Sequence, residues 1–388
     1  MDNFAVERER GITVFAKQAV FPLGQRKVTL LDTPGHVDFS AEMERTPSVL
    51  DCAVLVISGT DGVQAHTATL WRLLERYQVP TFLFINKMDL PGLEKDALMD
   101  QLQEQLSPGC VDFTQEADSL AEAAAMCDEA LLENYLETGT VTPGNLRGLI
   151  AKRKLFPCFF GSALKLRGIE ELLEGLDTYA PEKDYPAEFA AKVYKISRDP
   201  QGNRLTWLKV TGGSLKVRSL LDYVNSKGEK RQEKVVQLRL YSADKFTAPE
   251  ELTAGQVAAV TGLSETFAGQ ALGAEPTGLA YALEPVMTYR VSLPKGADPA
   301  VVYPKLRLLE EEDPQLRLLW ESGQIHVQIM GRVQLEVFRS LVKERFGLDI
   351  SLEDRRIFYK ETIANTVEGV GHFEPLRHYA ECHLLLEP

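Results

Sequence analysis

Three short runs with almost no polar interruption constrain the fold of this chain most: residues 53–57 (AVLVI), 81–85 (TFLFI) and 157–160 (PCFF). A strand wetted on one side alternates apolar and polar residues. One that is apolar throughout is buried on both faces, as in a parallel sheet flanked by helices. Between the first two runs Leu70, Leu73, Leu74 and Tyr77 recur at helical spacing, which predicts a helix over 63–77. A second helix is predicted over 169–179, ended by Pro181. Val28 to Leu31, stopped by Asp32-Thr33-Pro34-Gly35, reads as a further buried strand. Buried runs alternating with helices predict one α/β domain over residues 1–181. Residues 12–31 depart from that texture: two strand-like stretches flank Pro22-Leu23-Gly24-Gln25, a hairpin pattern.

After a polar linker (EKDYPAE, 182–188), short β-like stretches with glycine turns predict a β-barrel over 189–284. From Pro285 the order is strand (286–293), helix (298–311), two strands around Ser322-Gly323, helix (332–345) and strand (348–352). That βαββαβ order predicts a ferredoxin-like α+β domain over 285–360. Residues 361–388 read as the start of a fourth domain. The fold class expected is thus α/β, followed by a β-barrel and a ferredoxin-like domain. A net charge of −13, from 43 basic against 56 acidic residues, argues against a simple basic nucleic-acid module. Five scattered cysteines without a C-x-x-C pair indicate neither a zinc ribbon nor a disulfide framework. With no apolar run near the roughly 18 residues of a membrane span and no signal-peptide core, a cytoplasmic protein with no membrane contact is expected.

Four motifs at predicted strand ends carry chemistry. In Asp32-Thr33-Pro34-Gly35, a carboxylate can hold a Mg²⁺ water, and Gly35 lets a backbone N–H approach a γ-phosphate closely. In Asn86-Lys87-Met88-Asp89, Asp89 can accept from the N1–H and exocyclic amine of guanine, an edge adenine lacks. Asn86 can tie the loop to the purine, and the Lys87 stem can cover its face. Gly161-Ser162-Ala163 can present the Ala163 N–H to the guanine O6. Arg10-Gly11-Ile12-Thr13 opens the first strand, and Thr13 can bind Mg²⁺ through its hydroxyl. Singly, each has a plain alternative: a strand-ending turn, a solvated turn, a helix N-cap, an ordinary strand threonine. Together, in the order Mg²⁺, γ-phosphate, base, base, they decide for a guanine-nucleotide site at the carboxyl ends of the strands. His36, directly after Gly35, can orient an attacking water in phosphoryl transfer. The other five histidines form no metal-spaced set.

With these residues in place the chain resembles the translational GTPases of the elongation factor G and tetracycline ribosomal protection group. The likeness rests on ERERGIT (7–13), DTPGHVDF (32–39), SVLD (48–51), DGVQ (61–64), NKMD (86–89), GSA (161–163), EEDPQL (311–316), GRVQLEV (331–337) and YKETI (359–363). The resemblance implies GTP with Mg²⁺ as cofactors, Thr13 and Asp32 on the metal, and Gly35 as the phosphate sensor. Ile12 would gate, and His36 position, the hydrolytic water, while Asn86, Lys87, Asp89, Ser162 and Ala163 would hold guanine. It implies a monomeric partner of the ribosome that hydrolyses GTP through a conformational cycle. The short segment from Asp89 to Ser162, the GSA triplet and the SVLD run are more similar to the ribosomal protection branch. An elongation factor G-like translocation factor and a catalytically inactive ribosome-binding module are the alternatives.

One family motif has no counterpart: no G-x-x-x-x-G-K-[ST] occurs in the chain, and only twelve residues precede Thr13. In the family the phosphate loop lies upstream of the ERERGIT segment, on a strand in the middle of the sheet. The expectation is a fragment at both ends, inactive as a GTPase on its own, with a sheet left open where that strand belongs.

Overall fold

The computed structural model describes residues 13, 14, 16–243, 245–277, 285, 287–313, 315–354, 363–374 and 379–387. Its first sheet is an antiparallel hairpin, β1 (Lys17–Leu23) and β2 (Arg26–Asp32), in register from Lys17↔Asp32 to Leu23↔Arg26. Pro22 and Leu23 lie inside β1, so the turn is tighter than the sequence suggests. It comprises Gly24, at φ +54°, and Gln25. The ladder stops at Asp32 because Pro34 follows and offers no N–H. Thr13 therefore stands four residues before β1 and does not open it, correcting the expected strand start.

A short helix α1 (Ser40–Arg45) leads to β3 (Ala53–Ser58), and helix α2 (Ala65–Arg76) to β4 (Thr81–Asn86). Helix α3 (Lys95–Gln105) and β5 (Cys110–Asp112) follow, then α4 (Ala117–Ala125), α5 (Glu129–Thr138) and α6 (Pro143–Ala151). Strand β6 (Phe156–Phe160) and α7 (Ile169–Tyr179) complete this part. The four strands form a parallel sheet in the order β3-β4-β6-β5. On one face Leu83 and Ile85 join Leu55, Ile57, Trp71 and Leu102. On the other, Phe82 and Phe84 join Leu146, Leu149, Ile150 and Leu172.

The hairpin is not part of that sheet, and β3 is an edge. Val54 and Val56 pair with Phe82 and Phe84 and share their face, yet they are 37% and 59% exposed. Leu30 on β2 is 46% exposed. The expected burial of 28–31 and 53–57 on both faces is thus incomplete. The reason is geometric: among the described residues no strand lies on the outer edge of β3, and none joins it to β2. The hairpin hangs instead on later parts of the chain. Ala243 N–H donates to the Gln18 carbonyl (2.8 Å), Gln18 Nε2 to the Tyr241 carbonyl (3.0 Å), and Arg26 to the Ala180 carbonyl (3.0 Å).

Ten strands then follow: β7 (Ala190–Arg198), β8 (Arg204–Gly212), β9 (Ser214–Lys216), β10 (Leu220–Val224), β11 (Lys230–Lys234), β12 (Gln237–Ser242), β13 (Lys245–Thr247), β14 (Glu251–Thr253), β15 (Val257–Thr261) and β16 (Ala271–Gly273). A six-stranded antiparallel sheet, β13-β12-β15-β8-β7-β16, and the ribbons β10-β11 and β14-β9 enclose a single apolar cluster that includes Val193, Leu208, Val235 and Val260. Next come β17 (Met287–Ser292), α8 (Pro299–Glu312), β18 (Arg317–Glu321), β19 (Gln324–Ile329), α9 (Arg332–Phe346) and β20 (Ser351–Asp354). Their sheet order, β18-β19-β17-β20 and antiparallel throughout, is ferredoxin-like. A last hairpin pairs β21 (Val367–Phe373) with β22 (Ala380–Leu386).

The SVLD run acquires a structural role. Val49 packs with Tyr194 and Val257, and the buried Lys209 ammonium donates to Asp51 (2.5 Å) and to the Val49 carbonyl (3.1 Å). Lys209 is 2% exposed and the Asp51 side chain 42%, so the two partners are not equivalent. Asp51→Ala, which strands the buried ammonium, should cost about 2 kcal/mol, and Lys209→Met clearly less. Urea denaturation of both variants checks the asymmetry.

Candidate functional site

Strands β4 and β6 lie side by side, with Ile85 opposite Phe160, so the loops after them emerge together at one end of the sheet. Gly161 N–H donates to the Ile85 carbonyl (2.9 Å) and Met88 N–H to the Gly161 carbonyl (3.0 Å). Asn86 closes the junction: its Oδ1 accepts from the backbone N–H of Lys87 (2.8 Å) and of Ala163 (2.9 Å). Lys87 takes a left-handed backbone, φ +66°, and its ammonium lies 3.9 Å from the Asp61 carboxylate. Within the second loop Ser162 is 2% exposed and bridges to Arg167. Gly168 lets the loop fold back: its φ is +75°, and a Cβ there would stand 2.3 Å from the Phe160 carbonyl oxygen.

Asp89 projects fully exposed from this platform. The Ser162 hydroxyl, with the charges of Lys165 and Arg167 beyond it, holds its carboxyl below the usual carboxylate range. An ionised acceptor pair beside a rigid two-loop frame is the arrangement a guanine edge requires. The Ala163 N–H expected on the purine O6 is directed to Asn86 in this structure, and Asn86 joins the two loops to each other. Asn86→Ala should leave two loop N–H groups without their acceptor at about 1 kcal/mol or more. Faster amide exchange at Lys87 and Ala163, with the β4 amides unchanged, is the expected readout.

The phosphate side is assembled differently. Asp32 closes β2 of the hairpin, apart from the parallel sheet, and Thr13 lies upstream of β1. Ile12 lies outside the described residues. Gly35 is exposed, with no atom within 4 Å of where a Cβ would stand. The His36 Nδ1 accepts from the Asp38 N–H (3.2 Å), and the Asp38 carboxylate lies 3.7 Å away. His66, at the start of α2, was not a sequence candidate. Partial burial and the nearby charge of His36 lower its pKa, and its Nε2 is buried with no hydrogen-bond partner among the described residues. Its position two residues after the DGVQ run was the available signal.

The base-side residues therefore fit a guanine nucleotide. On the phosphate side the fit reaches only as far as Gly35 and His36 on one loop, which follows Asp32 at the end of β2, while Thr13 lies upstream of β1. No group of three or more His, Cys, Asp or Glu side chains among the described residues could by itself hold a metal ion. No described helix is long and apolar enough to cross a membrane.

Comparison with known proteins places this geometry. Residues 1–182 match the family model of the elongation factor Tu GTP binding domain. The chain is 28% identical to elongation factor G 2 of Syntrophus aciditrophicus, an alignment covering all of this chain and 69% of that protein. It is 29% identical to the oxytetracycline resistance protein of Streptomyces rimosus, over 97% of this chain and 62% of that one. A crystal structure of a Thermus thermophilus protein superposes with a TM-score of 0.80 at 24% identity, covering all of this chain and 67% of that one. It shares the fold. Over residues 1–182 the chain thus matches the elongation factor Tu GTP binding domain, and over nearly its whole length it is similar to an elongation factor G and to a tetracycline-resistance protein.

Proposed function

We propose that the chain is the nucleotide-facing and domain-coupling part of a ribosome-associated GTPase of the drug-protection branch. The observation that carries the reading is Asn86 locking the 86–89 and 161–163 loops together, with the Asp89 carboxylate presented beyond them. Residues 1–181, 189–284, 285–360 and the beginning of a fourth domain at 361–388 are its units, in a cytoplasmic monomer that docks on ribosomal RNA and protein. Asp89 reads the guanine edge, Lys87 covers the base, and Ser162 keeps Asp89 ionised. Thr13 and Asp32 would hold Mg²⁺, Ile12 would gate the water, and His36 would orient it. When bound, GTP with its metal supplies the phosphoanhydride to be cleaved.

Titration with guanosine tests the base site without needing the phosphate side. Guanosine should shift the amide resonances of residues 86–89 and 161–163 while adenosine does not, and Asp89→Asn should remove the response. No shift with guanosine up to about 10 mM, a range where even −3 kcal/mol of binding is visible, overturns the reading.

A further inference from the structure

The two segments assigned above to the phosphate end converge on one helix far along the chain. Val14, beside Thr13, and Phe39, in the segment after His36, are both buried against Val337, with Val333 and Leu341 packed around them. All three partners belong to α9. The second contact is polar. Helix α9 begins at Gly331, which supplies no side-chain cap, and the Val333 N–H donates instead to the Asp38 carboxylate at 2.5 Å. Asp38 thus does from 295 residues away what an N-cap residue ordinarily does from within the helix, satisfying an orphan N–H at the positive end of the dipole.

Gly331 is shaped by the same contact. Its φ of −166° is extended backbone open to any residue, so glycine is not demanded by conformation. Space is the constraint: a Cβ at 331 would stand 2.2 Å from the Asp38 carboxylate, so the carboxylate or the helix start would have to shift. The carboxylate has a third neighbour, the His36 ring 3.7 Å away, whose Nδ1 accepts from Asp38's own N–H. One residue therefore touches both the side chain beside Gly35 and the first turn of α9.

We propose that Asp38 is a positioning residue, a helix cap supplied in trans, through which α9 sets the placement of the Gly35–His36 loop and in turn responds to it. The role of that loop in nucleotide sensing rests on the reading above; the mechanical coupling does not. Movement of the loop on filling the phosphate site would withdraw the cap from α9. Undocking of the ferredoxin-like unit would release His36. The two changes are one equilibrium seen from either end.

Amide hydrogen exchange on the 388-residue chain tests this without nucleotide, so failure of the GTPase reading, seen in the guanosine titration, stays separate from failure here. Asp38→Ala should speed exchange at Val333 and the first turn of α9 by about fivefold or more, and Asp38→Asn, still a capping residue, should restore most of the protection. Gly331→Ala provides the reciprocal arm: made on α9, it should speed exchange in residues 35–39 while the amides of β4 and β8 keep theirs. Exchange unchanged in residues 35–39 on Gly331→Ala, or equal loss of α9 protection in Asp38→Asn and Asp38→Ala, overturns the proposal. If Asp38→Ala also exposes β4 and β8, the milder Asp38→Asn and Gly331→Ala variants decide by the same criteria.

Discussion

Titrated with GTP, the 388-residue chain is expected to give no binding in the micromolar range, and no GTP hydrolysis above background. The loops proposed to hold the base are present, but a triphosphate draws most of its affinity from backbone N–H groups, a lysine and the metal shell around the β- and γ-phosphates. No G-x-x-x-x-G-K-[ST] segment is present to supply them. Three or more lost hydrogen bonds to charged oxygens, at about 1.5–3 kcal/mol each, correspond to a factor of about 10³ to 10⁶ in affinity. In the parallel sheet, β3 is an edge among the described residues, and Val54 and Val56 are 37% and 59% exposed on the face that Phe82 and Phe84 bury. Calorimetric titration measures it directly. A micromolar dissociation constant would show that the described loops suffice for phosphate binding.

Replacement of Glu42 by alanine is expected to destabilise the chain by about 3–5 kcal/mol, more than any exposed ion pair could account for. Helix α1 drives this carboxylate into the junction of all three units. Its oxygens accept from the Ala16 N–H (3.1 Å), the Lys195 ammonium (2.9 Å) and the Arg45 guanidinium (2.5 Å). Arg45 reaches on to the Glu312 carbonyl (3.0 Å) and lies 3.5 Å from Asp313. Beside this network runs a cavity of about 250 Å³, lined in part by Trp207, Phe338 and Arg345. Removal of Glu42 would strip both cations of this carboxylate, leaving Lys195 the Ala16 carbonyl (3.1 Å) and Arg45 the Glu312 carbonyl and Asp313. Thermal melts comparing Glu42→Ala with Glu42→Gln, which keeps the volume and part of the hydrogen bonding, separate charge from packing.

The same carboxylate gives the junction a pH dependence. Burial alone would push Glu42 upward, but Lys195 and Arg45 outweigh it and bring it down from 4.5 to about 2. A carboxylate depressed on folding contributes its full stabilisation above about pH 4.5 and loses it as the pH falls toward 2. Asp313 acts in the opposite sense: burial raises it, with Arg45 opposing and Glu42 reinforcing the rise. Its contribution is complete at low pH and is lost as the pH climbs through its raised value. Stability should therefore fall on acidification from pH 4.5 toward 2 in the native chain, and the Glu42→Gln variant should show a flatter profile.

Much of this was legible from local pattern. The uninterrupted runs at 81–85 and 157–160 announced strands buried on both faces. The change of texture near Phe189 announced the antiparallel region, and the order of elements after Pro285 announced a ferredoxin-like sheet. The loops that carry Asn86, Asp89, Ser162 and Ala163 were also readable, because their composition advertises a turn at a strand end. Those are short-range properties, set by side-chain period and by which residues tolerate a turn.

What local pattern could not reach was decided by contacts across hundreds of residues. Nothing around Val54 and Val56 says that they face solvent; that follows from which strand lies next to β3. Asp38 looks like one more polar residue after a histidine, until α9 arrives to be capped by it. Glu42 and Arg45 sit on one short helix, and only the docking of β7 and α8 turns them into a buried ionic junction. By itself the sequence determined most of the elements, their class and the turns that end β4 and β6. The tertiary structure alone decided which edges stayed open, which charges were buried and which distant helix packs against residues 35–39. Burial and ion pairing depend on partners that sequence spacing does not encode.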